Sequence, residues 1–152
     1  MSLAAQAAKQ LHDVYFGGNW TVSNLKEQLS TVNWQQATTQ VGQLNTIAKL
    51  AFHLNYYVHE VAKVLQGEPL TAKDKFSWEP PAINNEDDWQ QLLGQLWQDG
   101  QRFSELIGQL PDSKFAEPFI APQYGDYYRN IHGIIEHIHY HLGQIAVIKK
   151  LL

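Results

Sequence analysis

The placement of proline limits this chain more than any other feature. All six prolines lie in two stretches, Pro69, Pro80 and Pro81 in the first and Pro111, Pro118 and Pro122 in the second. Proline lacks an amide donor and its ring collides with the preceding turn, so both stretches read as connections. Between them the chain falls into proline-free blocks, and these blocks repeat apolar residues at three- and four-residue steps, the helical period.

The block from about Asn85 to Leu110 is the clearest, with Trp89, Leu92, Leu93, Leu96, Trp97, Phe103, Leu106, Ile107 and Leu110 on one stripe. Asn85 suits the N-cap, and Glu86, Asp87 and Asp88 place negative charge at the positive end of the helix dipole. Gly94, Gly100 and Gly108 each cost about 1 kcal/mol against alanine, which predicts close packing along this helix. A second block, about Asn45 to Gln66, aligns Ile47, Leu50, Leu54, Tyr57, Val58, Val61 and Leu65, with Gly67 and Pro69 as the stop signal. The last, from about Asp126 to the C-terminus, carries Ile131, Ile134, Ile138, Ile145 and Ile148 in register. A shorter first helix, about Leu3 to Phe16, ends at Gly17-Gly18, and Thr21 to Ser30 can form one extra short helix. No segment alternates with period two for long enough to make a strand. The expected fold is all-α, a four-helix bundle built from residues 1–152 as a single domain. Its connections of about 25, 18 and 14 residues exceed the usual 2–8 of tight hairpins, so a crossover or capping segment is expected.

Composition excludes several functions. With 11 Lys plus Arg against 15 Asp plus Glu, the net charge of −4 argues against unaided nucleic-acid binding, whose affinity comes largely from phosphate neutralisation. No apolar run reaches the ~18 residues of a spanning helix, and no basic n-region or long h-region opens the chain, so the expected location is cytoplasmic, with no membrane partner. Cysteine is absent, which removes disulfides, thiolate zinc sites and a cysteine nucleophile. A bound metal must therefore use nitrogen and oxygen, and the seven histidines are the main stock of nitrogen.

At about 100° per residue, each histidine can be placed against the apolar stripe of its helix. His137 and His141 fall within about 40–50° of the inward direction of the last helix, one turn apart, whereas His132 and His139 fall nearly opposite. His53 lies on the flank of the second long helix's apolar face, His59 points away from it, and His12 has no partner. Three histidines can thus face the interior. An i, i+4 pair places two imidazoles about 6 Å apart, and a third from a facing helix completes a set of ligands that leaves positions open on the ion, as in catalytic sites. Imidazole suits zinc, nickel, copper or iron better than magnesium or calcium. The competing reading of the same spacing is three hydrogen-bonded core histidines. Glu136-x-x-His139 matches half of a di-iron carboxylate site but faces outward and lacks its second copy.

Several stretches resemble the DinB/YfiT-like metalloenzyme family, the DinB superfamily: Gly17-Gly18-Asn19-Trp20, Asn45-Thr46-Ile47-Ala48, His53-Leu54-x-x-Tyr57, Leu65-Gln66-Gly67 and, most specifically, His137-x-x-x-His141-x-Gly143-Gln144-Ile145. The resemblance spans nearly the whole chain. It implies a four-helix bundle in which His53, His137 and His141 ligate a divalent metal; zinc or nickel is expected first, iron or manganese next. It also implies a homodimer, and some members are S-transferases that use a low-molecular-weight thiol. Relatives often carry a basic residue just after the last histidine, where this chain has Leu142.

The function expected from residues and resemblance together is a metal-dependent enzyme of the thiol S-transferase or hydrolase type acting on a small-molecule substrate. A divalent ion would supply the acidity that turns a thiol or a water into a nucleophile. Because the chain has no cysteine, the sulfur must arrive on a soluble thiol. Tyr57, Asn130 and Gln144 are the candidate pocket residues. The alternative is a non-catalytic metal-binding or stress-related dimeric bundle.

Overall fold

The structure is a computed structural model describing residues 1–152, and it consists of seven α-helices with no strand. Helix α1 spans Leu3–Phe16, α2 Leu25–Ser30, α3 Trp34–Thr38, α4 Ile47–Leu65, α5 Asp74–Ser77, α6 Glu86–Gly108 and α7 Tyr127–Leu151. Two 3-10 turns, Asp112–Ala116 and Pro122–Tyr124, lie between α6 and α7. The four long helices match the four periodic blocks. Three short helices are present where one was expected, because the two connections on either side of α4 fold further into α3 and α5.

Local chemistry explains the helix starts. Ser2, Asn24, Asn33, Thr46, Asn85 and Asp126 each accept, through a side-chain oxygen, the amide three residues on. Each such cap satisfies an otherwise orphaned N–H. Asn33 and Gln36 form a complete capping box, which lets a helix as short as α3 hold its place.

Packing sets the arrangement. Helices α1 and α4 each pack against both α6 and α7, so the order around the bundle is α1, α6, α4, α7, with α1 and α4 on opposite corners. Only α4 and α6 are neighbours both in space and among the long helices in sequence. The other two steps, α1 to α4 and α6 to α7, cross the bundle diagonally. The core is continuous and includes Leu11, Tyr15, Leu54, Trp89, Phe103 and Ile138. Trp89 is fully buried and its indole N–H donates to the Val32 carbonyl at 2.8 Å. The close packing expected on α6 occurs at Gly100, where a Cβ would lie 2.4 Å from the Tyr15 ring, while Gly94 has open space. No helix is long and apolar enough to cross a membrane.

Candidate metal centre

His53 on α4 and His137 and His141 on α7 meet where these two helices face each other. Their ligand atoms all lie within 4.8 Å of one another and form a group able to hold a metal ion. The Nε2 atoms of His53 and His141 are each 3.0 Å from Nε2 of His137. Nitrogens about 2.1 Å from a shared ion can stand at that separation, so the two contacts with His137 match the spacing of a divalent-ion site.

The other ring nitrogens fix which atoms face inward. Ser77 Oγ donates to the Asp74 carbonyl at 2.6 Å and therefore accepts from Nδ1–H of His53 at 2.8 Å. Gln144 Oε1 accepts from Nδ1–H of His141 at 2.6 Å. Both partners leave an Nε2 lone pair aimed at the centre, the tautomer that ligation requires. His53 and His141 are almost completely buried, 4% and 5% exposed, whereas His137 is half-buried and forms the solvent side of the cluster.

Burial lowers the pKa of His53 and of His137 from 6.5 to about 4, with the neighbouring His141 pushing in the same direction. All the more reason, then, for these two imidazoles to be neutral at pH 7, with lone pairs free. Aromatic rings enclose them. Trp78 stacks on His53 with centroids 3.5 Å apart, and Tyr57 meets His53 and His137 edge-on at 5.5 and 5.2 Å. The Tyr57 hydroxyl donates to Asp74, and burial followed by that bond raises its pKa.

Of the candidate pocket residues, Tyr57 and Gln144 touch the cluster. Asn130 does not: its amide donates to the Tyr124 and Asp126 carbonyls, each at 2.8 Å, and so closes the turn into α7. His12 stands beside Phe16 on α1, and Glu136 is exposed. His132 stacks on Tyr128 away from the cluster. His139 was expected toward solvent but is half-buried, and burial lowers its pKa.

Sequence reasoning missed α5. This four-residue helix delivers Ser77, and the residue after it, Trp78, covers His53. It lies inside the first proline stretch and is too short to show a period. The one available signal was Asp74 to Trp78, a cluster of side chains unusually rich in hydrogen-bonding and aromatic groups for a connection.

No curated protein and no solved structure matches the chain. The family model described as the DinB superfamily matches residues 3–145. That match runs from the first residue of α1 to within the final turns of α7, and so includes every residue of the histidine cluster and both of the partners that orient it: this chain belongs to the DinB superfamily.

Proposed function

We propose that His53, His137 and His141 ligate one divalent ion, zinc or nickel ahead of iron or manganese, and that the protein is a metal-dependent S-transferase or hydrolase. The observation that carries this reading is the pair of hydrogen bonds that His53 and His141 donate through Nδ1–H to Ser77 and Gln144, which turn Nε2 lone pairs toward a third imidazole. Two Nε2 acceptors therefore converge on the single Nε2 of His137, where without an ion at most one proton serves both contacts. When bound, the ion supplies the Lewis acidity that makes a thiol or a water nucleophilic near neutral pH.

The chain's own residues do the rest. Trp78 and Tyr57 shield the cluster from water on the α4 side, and the half-buried His137 marks the side open to a small molecule. With no cysteine in the chain, sulfur chemistry here requires a soluble thiol as co-substrate. A homodimer in the cytoplasm is part of the same proposal. Tyr140, Val147 and Leu151 leave an exposed apolar line on α7, in keeping with a second copy.

The test begins with metal analysis of protein purified without a metal-affinity column. The expected result is about one equivalent of a transition metal in the wild type and little in His137→Ala. Equal, negligible metal in both removes the triad. Incubation of loaded protein with several thiols and monochlorobimane then separates the two functional classes. A thiol-dependent rate above the His53→Ala control supports transfer. Full metal occupancy with no such rate, and no hydrolysis of activated esters, leaves the non-catalytic metal-binding bundle.

A further inference from the structure

On the opposite side of α4, where it packs against α6, a cleft of about 500 Å³ opens that contains none of the three clustered histidines. Beneath it sits Asp99, a carboxylate only 3% exposed. Asp99 is held by three side chains: Asn55 Nδ2 donates at 2.8 Å, Gln95 Nε2 at 3.0 Å, and His59 Nδ1 lies 3.1 and 3.2 Å from its two oxygens. Asn55 is in turn fixed by the hydroxyl of fully buried Tyr15, which donates to Asn55 Oδ1 at 2.9 Å. A relay of four side chains therefore runs from the bundle interior to one imidazole, and His59, with 41% of its side chain exposed, is where it reaches solvent.

Because Nδ1–H is committed to Asp99, Nε2 is the ring nitrogen left to face the cleft, carrying a lone pair. The buried carboxylate thus fixes the orientation of the imidazole. The rest of the cleft narrows the ligand. No lysine or arginine lines it. Glu60 is already paired with Lys63 at 3.0 Å, so Asp88 and the charge of Asp99 beneath His59 supply the negative potential. Phe52 and Tyr56 add aromatic surface able to attract a cation, and Leu92 and Leu96 add apolar wall. The volume is that of a small-molecule pocket.

We propose that this cleft is a second binding site, for a small organic ammonium ion with an apolar or aromatic body, and that His59 held by Asp99 accepts a hydrogen bond from the ammonium group. The site is independent of the metal cluster, since the two share only the helix α4 and no side chain.

The experiment is an amide-resolved NMR titration of the full chain in phosphate buffer at about pH 7.5, where a primary amine is protonated. Benzylamine is the probe and benzyl alcohol its neutral counterpart. The expected result is saturable shifts in the segments around Phe52–Glu60 and Leu92–Asp99, with benzylamine binding at least about tenfold more tightly than the alcohol, the size of one charge-assisted hydrogen bond. His59→Ala, its fold verified from its own amide spectrum because it removes one of the three partners of buried Asp99, should abolish that preference, and His137→Ala should leave it unchanged. Equal binding of both probes, a preference that survives His59→Ala, loss of binding in His137→Ala, or no shifts at all would each overturn the proposal.

Discussion

Ser77→Ala is the sharpest probe of the histidine cluster, because it deletes one oxygen that ligates nothing. Ser77 is fully buried, and its hydroxyl is the sole partner of His53 Nδ1. Without it, the imidazole of His53 has two choices. It can keep Nδ1–H unsatisfied in a site 4% exposed, at about 1–3 kcal/mol to the fold. Or it can move its proton to Nε2, which relieves that cost but points a hydrogen at the position an ion needs. Either way metal binding suffers. Loss of such an outer hydrogen bond typically lowers affinity by about 10–100-fold, equivalent to about 1.4–2.8 kcal/mol. Competition of zinc against a chromophoric chelator reads the affinity, and thermal melts in EDTA read the metal-free fold. The expected outcome is a 10–100-fold weaker affinity with a smaller loss of metal-free stability. Affinity within twofold of wild type would refute the claim that Ser77 sets the His53 tautomer.

Two further outcomes are expected. In EDTA, stability should depend on pH through His53 and His137, whose folded pKa values near 4 lie below the ordinary 6.5. Between pH 6.5 and 4 the unfolded chain binds protons that the folded one refuses, so their contribution is complete above 6.5 and is lost as pH falls toward 4. Urea midpoints of wild type and a His53→Gln, His137→Gln double variant should therefore differ in slope across this window; parallel curves would exclude the mechanism. On α6, Gly94→Ala and Gly100→Ala should have opposite signs. Gly94 has open space and should gain up to about 1 kcal/mol of helix propensity. At Gly100 the new methyl meets the Tyr15 ring at 2.4 Å, so overpacking of about 1–3 kcal/mol wins. Equilibrium unfolding of the pair decides it.

Periodicity made the four long helices legible, along with the Asn85 cap and the inward aim of His137 and His141, since a 25-residue helix repeats its pattern many times. His53 was placed only on a flank because α4 has two buried sides, one against α7 and one against α6. A single inward direction cannot describe such a helix. The same fact conceals His59, whose helical angle points away from the apolar stripe but whose ring bonds to a buried carboxylate on α6. Ser77 and Trp78 were illegible for a different reason. Their positions come from a helix of four residues whose orientation is set by contact with α4, not by any pattern of its own. Helical angle turns Asn130 toward the pocket, but it lies in the first turn, where backbone carbonyls compete for its amide.

The diagonal course of the chain carries a consequence for the order of assembly. Helices α4 and α6 are the only long pair joined by a direct hairpin, so their pairing has the lowest loop-closure cost and should form early. The His59–Asp99 contact belongs to that hairpin, at a separation of 40 residues. His53 and His137 are separated by 84 and meet only once α7 has crossed the bundle and docked. Partial opening that releases α7 would scatter the histidine cluster while the α4–α6 hairpin stays paired. An ion held by the cluster would then act as a clasp on α7, and its escape rate would report how often that helix lifts away.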